Sequence, residues 1–177
     1  LSDRNLVGLD GRTRDEDGEI RMSGALSIET AFNSLEKKAA WGLVRTHGSM
    51  FFLEIGQALP QGSRRNIRGE WHFLIEMCHW RSATQEAIIV GSEDNQEIID
   101  RVFNEVKLGR LDKATTSNPG NDLHLLFSSG VILSTFTTSA SATDQWTQWR
   151  LFSPDDNVWV VNGGGHLISM NAREARA

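Results

Sequence analysis

Tyrosine is missing from this 177-residue sequence, cysteine occurs once, as Cys78, and proline only three times. A lone cysteine rules out an intrachain disulfide, so no cross-linked framework holds the fold. It reads instead as a small buried hydrophobe inside an apolar stretch. No apolar run approaches the ~20 residues that a membrane-crossing helix needs, and no leader pattern precedes the first charged residues. The expectation is therefore a cytoplasmic protein with no membrane partner. Basic residues are also in deficit, with 18 Lys and Arg against 23 Asp and Glu and a net charge of −5. Non-specific nucleic-acid binding draws its affinity from phosphate neutralisation, so this balance argues against DNA or RNA and for a basic protein partner.

Catalytic and cofactor motifs are missing too. Gly163-Gly164-Gly165 has no downstream Lys-Ser/Thr and opens no helix, so it is not a phosphate loop. None of the serines between Ser128 and Ser141 sits in a nucleophile elbow. Asp15 and Asp17 lack the further oxygen ligands and distal glutamate of a calcium loop. No cofactor is expected.

Apolar residues make up 39% of the chain and charged residues 23%, the composition of one globular domain with a sizeable core. Residues 1 to 24 alternate charge and glycine and read as an exposed arm, or a loose hairpin turning at Asp17-Gly18. Residues 25–170 read as a single α+β domain, and 171–177 as a polar tail.

Within the domain, Ser27 caps a helix to Lys38 whose stripe is Ile28, Ala31, Phe32 and Leu35. Ser92 caps a second from Glu93 to Leu108, with Ile98, Ile99, Val102, Phe103 and Val106 inward and Gly109 at its end. Strands are expected at 41–45 and 50–55, at 70–81, at 87–90 and 111–116, at 122–127 and 131–137, and at 145–152, 158–161 and 166–170. Along 70–81 the odd positions Trp71, Phe73, Ile75, Met77, His79 and Arg81 form the more apolar face and should point inward. Hairpin turns outnumber strand-helix-strand units, so the fold class is α+β: antiparallel meanders in a curved sheet or open barrel, with one or two packed helices.

The halves look alike. Phe51–Gly56 followed by Glu70–Ile75 resembles Leu123–Ser128 followed by Gln148–Phe152, an internal pseudo-repeat with the Glu93 helix as connector.

Chemistry would have to come from the five histidines. His72 and Glu76 are four apart, a metal or acid-base spacing on a helix. On a strand four residues span about 13 Å, too far to share one ion. His72 can instead meet a neighbouring strand, at Glu54 or His124, but the sequence does not fix that register. His72 and His124 are thus the metal candidates. His79 reads as a buried histidine with a hydrogen-bond partner. Among six tryptophans, one of Trp71 and Trp80 and one of Trp146 and Trp149 should approach the surface, where indole anchors partners. The loop Arg64-Arg65-Asn66-Ile67-Arg68 is a small basic patch that reads as a solvated loop, with anion contact as the alternative.

Between Trp41 and Val161 the chain resembles a group of bacterial proteins of unassigned activity and is similar to small acidic immunity proteins that neutralise toxins. The resemblance rests on Phe51–Gly56, Gly69–His72, Cys78–Arg81, Ser92-Glu93-Asp94, Asp122-Leu123 and Trp149–Asp155. It implies no catalytic residue.

The leading expectation is a non-catalytic protein-binding module, immunity-like, whose surface is Glu54, Glu70, Glu76, Asp155 and Asp156 with Trp80 as anchor. The alternatives are a small-molecule or metal-dependent enzyme using His72, Glu76, His79 or His124, and a ligand-binding β barrel. Strand edges also make a homodimer an open expectation.

Overall fold

A computed structural model describes residues 12–14, 20–22, 27–59, 67–138 and 146–171. Two short strands, β1 (Arg12–Arg14) and β2 (Ile20–Met22), pair antiparallel, in line with the hairpin expected in the N-terminal arm; the Asp17-Gly18 turn and Asp15 lie outside the described residues.

Helix α1 (Ile28–Leu35) starts where expected. The Ser27 hydroxyl accepts the Thr30 amide at 3.3 Å, satisfying one of the free donors of the first turn. Its stripe Ile28, Ala31, Phe32 and Leu35 is buried. Two strands follow, β3 (Ala39–Arg45) and β4 (Phe51–Leu59), the expected hairpin. Then come β5 (Arg68–Ile75), β6 (His79–Ala83) and β7 (Ile88–Gly91).

The expected continuous strand over 70–81 is therefore two. After Ile75 the chain donates from Glu76 N to Gln148 O and from Met77 N to Thr147 O, then crosses to a different neighbour as β6. The crossing reverses the alternation. Trp71, Phe73 and Ile75 point inward from β5, whereas Trp80 and Ser82 do so from β6. Met77, His79 and Arg81, expected inside, stand outside.

Helix α2 (Gln96–Glu105) starts later than expected, at an Asn95 N-cap. Ser92 and Asp94 are spent on the preceding turn: the Ser92 hydroxyl accepts Trp80 N, and Asp94 Oδ2 accepts Gly91 N. Ile99 and Phe103 are the residues it buries. Gly109, at φ +78°, opens the next strand rather than capping the helix.

The remaining strands are β8 (Gly109–Ser117), β9 (Asp122–Phe127), β10 (Ile132–Phe136), β11 (Thr147–Phe152), β12 (Asn157–Asn162) and β13 (Leu167–Asn171). With β3–β7 they make one antiparallel sheet in the order β13-β12-β11-β5-β4-β3-β8-β9-β10-β6-β7. It is the expected α+β architecture, a curved sheet that stays open, with β13 and β7 as its outermost strands among the described residues.

The order has an internal logic. Outward from β3 run that strand's own meander, β3-β4-β5, and then the hairpin β11-β12. Outward from β8 run β8-β9-β10 and then β6-β7. Each repeat, a helix, a three-stranded meander and a hairpin, thus gives its hairpin to the other repeat's meander. The two halves of the sheet are laddered together at Ala39↔Arg110 and Ala40↔Gly109, a short seam extended by Lys37 N donating to Leu111 O and Leu111 N donating to Lys38 O. Equivalent tryptophans stitch them. Trp80 of β6 donates its indole N–H to Ser49 O before β4, and Trp149 of β11 donates to Asn121 O before β9, at 2.8 and 3.0 Å. Both indoles are buried, and Phe51 meets Trp80 edge-on with centroids 4.9 Å apart. The pseudo-repeat is therefore present, with Leu123–Phe127 matching Phe51–Ile55 as read from sequence. The strand carrying Trp149, however, corresponds to β6, not to β5.

Among the described residues no helix is long and apolar enough to cross a membrane.

Candidate functional site

On the outer face of the β4–β5 pair, Glu54 and His72 stand directly opposite each other. Both are nearly buried, 6% and 5% exposed. Nδ1 of His72 lies 2.7 Å from Glu54 Oε1, and Gly69 N donates to Oε2, also at 2.7 Å. A carboxylate beside Nδ1 fixes the proton there, so the neutral ring presents Nε2 as a lone-pair acceptor. That Nε2 is shut off from solvent and has no hydrogen-bond partner. A buried polar atom left unpaired costs about 1–3 kcal/mol.

The backbone makes room for this pair. Gly42 lies at φ +65° in a bulge of β3, and a Cβ there would stand 2.8 Å from Glu54 Cγ. Aromatic rings wall the histidine: Phe52 at 4.5 Å and Phe152, across on β11, at 5.6 Å between centroids. The Arg68 guanidinium lies 5.6 Å from the Phe152 ring, a cation–π contact. Arg68 is the described end of the expected basic loop; Arg64, Arg65 and Asn66 fall outside the described residues.

The other residues expected to form a site are scattered. Glu70 is half-buried and pairs with Lys38. Glu76 faces Arg150 at 3.0 Å, off the line of a hydrogen bond, and burial pushes its carboxyl up against the opposing pull of Arg150. Of the five carboxylates assigned to an acidic surface, Glu54 is therefore buried and Glu70 and Glu76 are half-buried, each beside a basic or imidazole side chain. Asp155 and Asp156 are exposed on the β11–β12 turn. Trp80, expected as a surface anchor, is 2% exposed, because the crossing before β6 turns it into the core.

His124 does not approach His72. It shares Ser117 at 3.0 Å on Nε2 and Ser134 at 3.1 Å on Nδ1. His79, expected in the core, is exposed and lies 3.0 Å from Glu93. No group of three or more metal-ligating side chains occurs among the described residues. In the core, a cavity between α2, β9 and β10 measures about 10 Å³. That is room for roughly one water.

Sequence reasoning named Glu54 and His72 as possible neighbours but missed their aromatic walls. The signal was present in the alternation: Phe52 and Glu54 share a face, as do Arg150 and Phe152. It also expected one of Trp71 and Trp80 near the surface, but both are buried, 5% and 2% exposed; of Trp146 and Trp149 the exposed one is Trp146, 53% exposed, beside the β5–β6 crossing where Met77 is 59% exposed. No protein-family model, curated protein or solved structure gives a significant match to this chain.

Proposed function

We propose that the protein is a non-catalytic binding module for a basic protein partner, immunity-like in role and cytoplasmic in location. The observation that carries this reading is the exposed pair Trp146 and Met77. They stand on adjacent chain segments, since Met77 N donates to Thr147 O. A large indole left in water on an otherwise well-buried set of tryptophans is the usual form of a binding hot spot. Charge complementarity comes from carboxylates that do face solvent: Asp155 and Asp156, with Glu93 and Asp94 just before α2 and Glu97 in its first turn. These stand in place of the buried Glu54 and the half-buried, paired Glu70 and Glu76 of the expected surface.

The test is affinity capture from the source lysate with the parent chain and with W146S. The expected result is one stoichiometric basic protein, released at high salt and lost with W146S. Equal capture by both chains would contradict the reading.

The alternative of histidine–glutamate chemistry keeps one specific support, the Glu54–His72 dyad with its unpaired Nε2.

A further inference from the structure

The exchanged architecture supplies its own control for that dyad. The two tryptophan bonds align Ser49 with Asn121 and Trp80 with Trp149. Counting along paired strands then matches Glu54 with Leu126 and His72 with Ile132. Register agrees, because Glu54↔His72 and Leu126↔Ile132 are both directly opposed pairs. At the same place in the same fold, one half carries two aliphatic side chains, Leu126 at 40% exposure and Ile132 half-buried, and the other a buried, incompletely satisfied polar pair. The fold does not require the polar pair.

A second difference lies directly beside it. Phe152 pairs with His72, and its counterpart Ala83 pairs with Ile132. Beside Ala83 lies an open cleft of about 300 Å³, lined by the β6–β7 turn from Thr84 to Ile88 together with Arg81, Ala83, Ile132 and Ser134. That is the lower end of the size of small-molecule sites. Where phenylalanine stands, its half-buried ring fills the space against His72.

From these observations we infer that His72, Glu54, Phe52 and Phe152 form a gated small-molecule site. Phe152 is the gate, and its outward rotation uncovers a cleft like the one at Ala83. The occupant is a small planar molecule carrying an O–H or N–H donor. Its ring packs on Phe52 and its donor bonds the Nε2 of His72. Glu54 is a positioning residue that keeps the proton on Nδ1 and Nε2 free to accept. The inference goes beyond the protein-binding reading, since it concerns a different face and a different class of ligand.

The experiment titrates the full chain with phenol and with toluene, its counterpart without a donor, reading the His72 ring nitrogens by NMR. Phenol is expected to shift Nε2 saturably and to bind about tenfold more tightly than toluene, the order of one net hydrogen bond. Phe152→Ala removes the gate and should tighten both. The double substitution E54L/H72I, which copies the aliphatic pair of the other half, should abolish the preference for phenol. Should that variant fail to fold, the phenol-to-toluene ratio in the parent and in F152A still decides. Equal affinities, no saturable phenol binding in F152A, or a phenol preference that survives E54L/H72I would each overturn the inference. Loss of partner capture in W146S with phenol binding intact would separate the two sites.

Discussion

The Sγ of Cys78 lies 3.3 Å from the Gln148 carbonyl oxygen, and its thiol is pushed up to about 12, first by burial and then by the charges of Asp122 and Glu76. The nucleophile in thiol chemistry is the thiolate, so a thiol held protonated reacts slowly. In mildly alkaline buffer the native protein should react with an aromatic disulfide reagent about a thousandfold more slowly than the urea-unfolded chain, as thiolate populations dictate. Similar rates would contradict this placement. At this scale the sequence was legible wherever burial follows from side-chain type alone: Phe51, Leu53, Ile55, Phe73 and Leu125 are all fully buried. It was not legible for Trp80 and His79. Their side depends on a three-residue crossing that exchanges neighbours without any glycine or proline to mark it.

Helix α2 is tied to its strand by a bidentate ion pair. Arg45 Nε and Nη2 donate to the two oxygens of Asp100, each at 2.7 Å. The hydrogen bonds from Arg45 hold the Asp100 carboxyl below its ordinary range, against a smaller opposing effect of desolvation. A carboxyl depressed by folding adds stability that is present above its unfolded value and disappears as pH falls through its folded value. The urea midpoint of the parent should therefore fall on acidification through the carboxylate range more steeply than that of D100N. Parallel curves would show that the pair contributes nothing. Glu76 works in the opposite sense: its raised carboxyl adds stability as pH falls. Helix α1 was readable to within a few residues because its capping serine does cap. Helix α2 was overextended because Ser92 and Asp94 have the right chemistry for a helix start but use it to close a turn against β6.

The whole molecule is two copies of one pattern, each completed by the other's hairpin. Local alternation revealed the copies, since Phe51–Ile55 and Leu123–Phe127 share their spacing of inward residues. It concealed the exchange, because nothing in the sequence states which meander a hairpin will join. Knowing the exchange is what allows one half to act as the reference for the other. It turns Glu54 and His72 from an unremarkable cross-strand pair into a departure from what the fold demands. The direct test is the unfolding free energy of E54L/H72I set beside that of H72A. Swapping a buried polar pair for packed aliphatic side chains is often neutral or stabilising by about 1–4 kcal/mol, whereas removing one partner costs about 3–5 kcal/mol. The prediction is a double variant at least as stable as the parent and an H72A variant well below it. A double variant as destabilised as H72A would mean that the pair is structural and that the site argued from it does not exist.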